Sequence, residues 1–173
     1  MLTTIAIIVA VVVAAILIYA ATKPDSFSVQ RTATIAAPQE KIFPLIDDLH
    51  AHHAWSPFEK GPAMKRTHSG AARGPGAVYE WEGNREVGKG RIAITDSTPS
   101  KITMALDMLK PFKASNTVEF TLRPNGDSTD VTWAMHGAQP YMAKLVSTFI
   151  NCDKMVGSQF EPGLSKLKAI AEK

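Results

Sequence analysis

Gln139 to Lys173, QPYMAKLVSTFINCDKMVGSQFEPGLSKLKAIAEK, is the stretch from which the rest of the chain is read. Met142, Leu145, Val146, Phe149, Cys152, Val156, Phe160, Leu164, Leu167 and Ile170 recur every three or four residues, which lines one face of a 3.6-residue period with apolar groups. The spacing predicts one long amphipathic helix that must bury that face, with Pro162 as a point where it can bend. Almost everything between Ser26 and Gly137 reads as short strands with one helical passage. The economical fold is α+β, a curved antiparallel sheet wrapped around the C-terminal helix.

The other end of the chain differs in kind. Residues 1–22 carry no charged side chain, and Leu2 to Ala21 supplies about the 20 apolar residues that a helix needs to cross a bilayer. We read residues 1–22 as a single transmembrane helix, residues 23–26 as a linker and residues 27–173 as one domain. Tyr19 suits the membrane interface, and Lys23 and Pro24 mark the boundary. The rival is a cleaved signal sequence, for which Ala20 and Ala21 would suit the cut. Its usual apolar core is shorter, however, and it follows a basic leader that is missing here. Lys23, Arg31 and Lys41 follow the span and no Lys or Arg precedes it, which points to a cytoplasmic domain on a single-pass membrane protein.

Composition excludes several classes. With 173 residues there is room for one domain and one appendage. Cys152 is the single cysteine, so neither a disulfide framework nor a cysteine zinc cluster can form within the chain, and its helical phase predicts a small buried hydrophobe. A net charge of +3 without a dense Lys/Arg run argues against nucleic acid as a partner.

Within the domain, Phe27, Val29, Arg31, Ala33 and Ile35 alternate with polar residues as a half-buried strand. Pro38 opens a helix with Ile42, Leu45, Ile46 and Leu49 on its apolar face, and Pro44 predicts a kink or break. His50, His52 and His53 invite a metal reading, but no spaced partner set completes a site, and neither a metal nor a cofactor is expected. Trp55 and Phe58 flank a Ser-Pro turn and are expected to cover the rim of the core. Gly70, Gly74, Pro75 and Gly76 mark a loop. Glu80 and Glu82 alternate with Tyr79 and Trp81 and are expected to meet Arg91 or Lys89 across strands. Ile102, Met104, Leu106 and Met108 form another apolar face, interrupted by Lys110-Pro-Phe-Lys113. Val118, Phe120 and Leu122 face Val131, Trp133 and Met135 across a turn containing Asn125-Gly126.

This order resembles the START-like (SRPBCC) superfamily, and within it the polyketide cyclase/dehydrase-like branch. The residues that carry the resemblance are Ser28 to Pro38, Trp55-Ser56-Pro57, Tyr79 to Gly83, Gly88 to Ile92 and Asp153 to Gly157. It implies a helix-grip fold with an apolar cavity between sheet and helix. The cavity would be faced by Trp81, Ile92, Ile94, Met104, Leu106, Met108, Phe120, Trp133 and Met135 from the sheet, and by Met142, Leu145 and Phe149 from the helix. His52 stands where relatives often carry a second tryptophan.

Three functions remain open. The first is a membrane-anchored module binding a lipid or other apolar small molecule, for which the methionines offer an adaptable lining. The second is a cyclase, dehydratase or hydrolase on an apolar, polyketide-like substrate, with His52, Tyr79, Asp107 and Asp153 as scattered acid or base candidates that form no spaced motif. The third is a protein-binding domain using an exposed patch near Trp55 and Phe58.

Overall fold

In the computed structural model, which describes residues 1–59, 63–84, 87–111 and 113–173, the apolar N-terminal stretch is helix α1 (Leu2–Thr22). It is the one helix here long and apolar enough to cross a membrane among the described residues, and its large side chains stay exposed. The chain then alternates as expected from Ser26 onward: β1 (Ser26–Ile35), α2 (Gln39–Asp47), a 3-10 turn (Ala51–Ala54) and a meander of six strands. These are β2 (Lys65–Gly70), β3 (Ala77–Glu82), β4 (Lys89–Thr98), β5 (Lys101–Lys110), β6 (Ala114–Asn125) and β7 (Ser128–Ala138). Phe112 of the expected interruption lies outside the described residues.

Every neighbouring pair of strands is antiparallel, in the order β1-β7-β6-β5-β4-β3-β2. The β6–β7 register pairs Val118 with Met135, Phe120 with Trp133 and Leu122 with Val131, so the apolar set of each strand falls on one face. The turn is Gly126-Asp127, with Gly126 at φ 62°, a left-handed conformation that glycine adopts without steric cost. Lys89 meets Glu82 at 3.1 Å across β3 and β4, while Arg91 lies opposite Glu80 and reaches Asp107 at 3.9 Å.

The C-terminal stretch differs from expectation, being two helices: α3 (Tyr141–Val146) and α4 (Cys152–Ala171). The Ser147 and Thr148 hydroxyls both donate to the Lys144 carbonyl, which competes with continuation of the helix. Asn151 then starts α4, its side-chain oxygen accepting from the Lys154 N–H at 2.9 Å. Cys152, at the first position of α4, is only partly buried. From there α4 runs through Pro162 against the sheet, burying Phe160, Leu164 and Leu167. Each such side chain contributes about 1.5–3 kcal/mol. The α2 helix likewise runs through Pro44 and ends three residues later, so no break occurs there.

Arg31 fastens α4 to β1. Its guanidinium donates to Asp153 at 3.0 Å and to Glu161 at 3.1 Å, two turns apart on α4, and Gly157 between them leaves room for it.

Candidate ligand cavity

Between the sheet and α4 lies a cavity of about 280 Å³. Strand alternation puts every second residue on this face. Tyr79 and Trp81 of β3, Ile92 of β4, Met104, Leu106 and Met108 of β5, Val118 and Phe120 of β6, and Trp133 and Met135 of β7 line it. The lining forms ladders across strands, Ile92 opposite Leu106 and Met104 opposite Val118, which in turn is opposite Met135. Gly90 permits the Trp81 ring to lie across β4, since a Cβ there would come within 2.3 Å of the indole. Phe160 closes the helix side, stacked on Trp133 with ring centroids 4.2 Å apart. Gln159, exposed and also lining the cavity, marks its opening together with Phe58.

Several expected positions lie elsewhere. Ile94 is in the solid core, 1% exposed. Met142 and Leu145 sit on α3 and Phe149 on the loop before α4, and none lines the cavity, because the helix breaks before Asn151 and only its second half enters the grip. Met142 and Phe149 are instead 67% and 71% exposed. Trp55, expected at the rim, is 1% exposed, donates its indole N–H to the Leu45 carbonyl at 2.9 Å and lines the inner wall. Phe58 remains at the edge, T-shaped to Trp133. Exposed apolar surface therefore does not gather around Trp55.

The polar groups of the wall are few. Glu59, missed in the sequence, follows the Trp-Ser-Pro-Phe turn with its side chain 10% exposed. One carboxylate oxygen accepts from the Tyr79 hydroxyl at 2.5 Å and the other from Arg66 Nε at 2.8 Å. Burial, followed by the bond to Glu59 and the charge of that carboxylate, pushes the Tyr79 phenol well above its ordinary range, so it stays a neutral donor. An acidic residue directly behind an apolar rim was the available sign of Glu59.

His52 lines the cavity with its Nε2–H donated to the Ile46 carbonyl at 2.7 Å. Burial lowers its pKa to about 4, the carbonyl bond and the charges of Asp48 and Glu59 opposing the shift. It is a neutral and weakly basic imidazole. His50 stacks on His68 at 4.0 Å outside the cavity, and His68 stacks on Tyr79. Among the described residues no group of three or more His, Cys, Asp or Glu is placed to hold a metal. Asp107 accepts from Ser115 and Asp153 pairs with Arg31, neither on the cavity wall. Of the four acid or base candidates, His52 and Tyr79 reach the cavity, bound to different partners.

Trp133 supplies one further polar atom. Its indole N–H is buried and is the one side-chain polar atom of that kind without a hydrogen-bond partner among the described residues. An unsatisfied buried donor costs about 1–3 kcal/mol.

The fold recurs among solved structures. Protein CV1439 from Chromobacterium violaceum superposes with a TM-score of 0.60 at 16% identity, covering 87% of this chain and 99% of its own. A solution structure from Thermobifida fusca gives 0.60 at 22% identity, covering 83% and 92%. DynU16, of the dynemicin biosynthetic locus, gives 0.58 at 14% identity, over 87% of this chain and 48% of its own. At these identities the likeness is one of fold. No curated protein matches the chain. The family described as polyketide cyclase / dehydrase and lipid transport matches residues 26–172, all of the sheet and the terminal helix. With a helix-grip sheet, a cavity under the helix and a match over that whole span, the chain belongs to the polyketide cyclase / dehydrase and lipid transport family of START-like proteins.

Proposed function

We propose that the protein is a membrane-anchored module that holds a compact apolar small molecule, such as a lipid chain or a polyketide-like ring system, in the cavity between sheet and α4. The observation that carries this reading is the cavity itself, walled by aromatic and methionine side chains and open beside Gln159. Its volume, about 280 Å³, is at the lower edge of the roughly 300–1,000 Å³ of small-molecule sites, which favours a small ligand or one chain of a larger one. Methionines adapt to ligands of differing shape. The Trp133 N–H would offer a donor to a ligand oxygen that reached it. Helix α1 anchors the domain near a lipid source, and the basic residues after it orient the domain to the cytoplasm.

A second reading, a cyclase, dehydratase or hydrolase acting on the same class of molecule, is favoured by the Glu59–Tyr79 pair on the wall. It ranks behind binding because both Glu59 oxygens already accept hydrogen bonds, from Tyr79 and Arg66, and because His52 is a weak base.

Native mass spectrometry of the full-length protein released from lipid nanodiscs, with organic extraction, tests the proposal. An apolar molecule bound in a one-to-one ratio and recovered unchanged is the expected result. Folded protein that carries none, and takes up none from a panel of fatty acids and aromatic polyketides, would overturn it. Recovery of a chemically altered molecule would move the assignment to the enzyme.

A further inference from the structure

The residues that fail to enter the cavity form a surface of their own. Within fifteen residues Tyr141, Met142, Val146, Phe149, Ile150 and Met155 are 43–71% exposed. Met142 and Val146 stand four apart on one face of α3. No other part of the domain exposes large apolar side chains at this density among the described residues.

This surface abuts α1. The Tyr141 hydroxyl donates to the Leu17 carbonyl at 3.0 Å. Lys23 Nζ donates to the Ser147 carbonyl at 2.6 Å, Lys144 pairs with Asp25 at 2.5 Å, and the Lys23 ammonium lies 5.5 Å from the Tyr19 ring. These bonds fix the depth of α3. At 1.5 Å per residue the 21 residues of α1 extend about 31 Å, the thickness of the hydrocarbon layer, and Leu17 lies about 7 Å inside its C-terminal end. The Tyr141 hydroxyl at the start of α3 reaches the level of Leu17, and Lys144 and Ser147 are tied to Asp25 and Lys23 just past the end of α1, so α3 lies against the boundary of a bilayer that α1 crosses.

We propose that the exposed face of α3 and the loop to α4 is embedded in the interfacial layer of that bilayer, as a second membrane contact beside the span. Interfacial segments sit about 5–10 Å into the boundary between headgroups and acyl chains, the depth that the Tyr141–Leu17 bond imposes. Lys23, partly exposed, and Lys154, exposed, flank the patch in the chain as cations that anionic headgroups would attract, while Lys144 is buried and paired with Asp25. Met155 extends it along α4, one turn before Gln159 at the cavity opening. The cavity thus opens close to the lipid, and an apolar ligand need not cross water to enter. The inference rests on α1 being a membrane span.

The test uses the full chain with Cys152→Ser and one new cysteine at a time, Phe149→Cys, Met142→Cys, Val12→Cys or Asp127→Cys, each carrying an environment-sensitive nitrobenzoxadiazole label. The proteins are reconstituted in phosphatidylcholine/phosphatidylglycerol vesicles with doxyl groups either near the headgroup or at the chain end, and tryptophan emission confirms that each variant is folded. Labels at 149 and 142 are expected to lose fluorescence to the shallow doxyl group more than to the deep one. The label at 12 should lose it to the deep group, and the label at 127 on the distant β6–β7 turn to neither. Quenching at 12 without quenching at 149 or 142 overturns the inference and leaves the span intact. A blue-shifted label at 149 that no doxyl lipid quenches assigns the patch to a second copy or another protein, and also overturns it. No quenching at 12 removes the span, and the inference with it.

Discussion

A buried imidazole that donates to a carbonyl serves as a structural donor for as long as it stays neutral. His52 is in this position, its Nε2–H on the Ile46 carbonyl and its ring 4.6 Å from Trp55. In the unfolded chain it would take a proton near pH 6.5, whereas in the fold its pKa is about 4. Between these values the unfolded state binds the extra proton, so stability is full above about pH 6.5 and falls as pH drops toward 4. The loss can reach roughly 3 kcal/mol, at 1.36 kcal/mol per pKa unit. The charges of Asp48 and Glu59 favour its protonated form and that of His68 opposes it; His68, on the exposed strand β2, has its own pKa lowered by partial desolvation and the charge of His50, which adds a loss of the same sign. The His52→Gln variant keeps a donor for Ile46 and does not titrate. Urea unfolding in mild detergent, followed by emission from Trp55, Trp81 and Trp133, should show the wild-type midpoint falling from about pH 7.5 to 5 and the variant's falling less. Equal falls would place the titration elsewhere. In the sequence His52 stood out as one of three nearby histidines, at a position where relatives often carry tryptophan and as a scattered acid or base candidate, but its neutral state was not legible, because burial is a property of the packed turn. For the same reason Glu59 was passed over: its importance comes from Tyr79 and Arg66, which reach it from β3 and β2.

The grip depends on how closely α4 approaches the sheet, and two glycines set that distance at different places. At Gly163 a Cβ would lie 2.8 Å from the Trp133 ring and 2.9 Å from Pro57, two rigid groups. At Gly157 it would meet the Arg31 guanidinium, the far end of a flexible and partly exposed side chain. Alanine gains about 1 kcal/mol of helix propensity at either site, and overpacking costs about 1–3 kcal/mol where neighbours cannot move. Gly163→Ala should therefore lower the unfolding free energy by about 1 kcal/mol net, read as a lower urea midpoint, while Gly157→Ala stays near neutral as Arg31 swings aside. A larger loss at Gly157 would mean that Arg31 holds α4 more firmly than packing does. Strand alternation and the hairpin were legible in the sequence because each is a local pattern with a period of two, and the β6–β7 register follows it residue by residue. The division of the C-terminal helix was not legible from periodicity, since Leu145, Phe149 and Cys152 continue the spacing of three or four straight through the break. The available sign was chemical: Ser147 and Thr148, then Asn151 as a cap with Asp153 in the first turn. Read in that way, the apolar residues before Asn151 no longer belong to the cavity.

Taken whole, the molecule separates two apolar surfaces, one inward between sheet and α4 and one outward on α3 beside α1. The family match and the curved sheet are the parts that sequence motifs could carry, because they depend on element order. Whether the inward surface is filled or hollow depends on packing that no motif encodes, and the 280 Å³ under α4 decides it for the hollow case. A hollow that binds a ligand makes a thermodynamic demand on the entire domain. Ligand present at a hundred times its Kd, bound to the folded state alone, raises the unfolding free energy by about 2.7 kcal/mol. Leu106→Trp, on the cavity wall of β5 and packed against the core, puts an indole into part of that space. With the molecule recovered by extraction, wild-type protein should shift its urea midpoint upward and saturate, whereas Leu106→Trp, its cavity partly filled, should shift less or need more ligand to do so. The same increment in both proteins would mean that the molecule sits outside the cavity, since a site between β5 and α4 cannot bind unaltered once part of its volume is occupied.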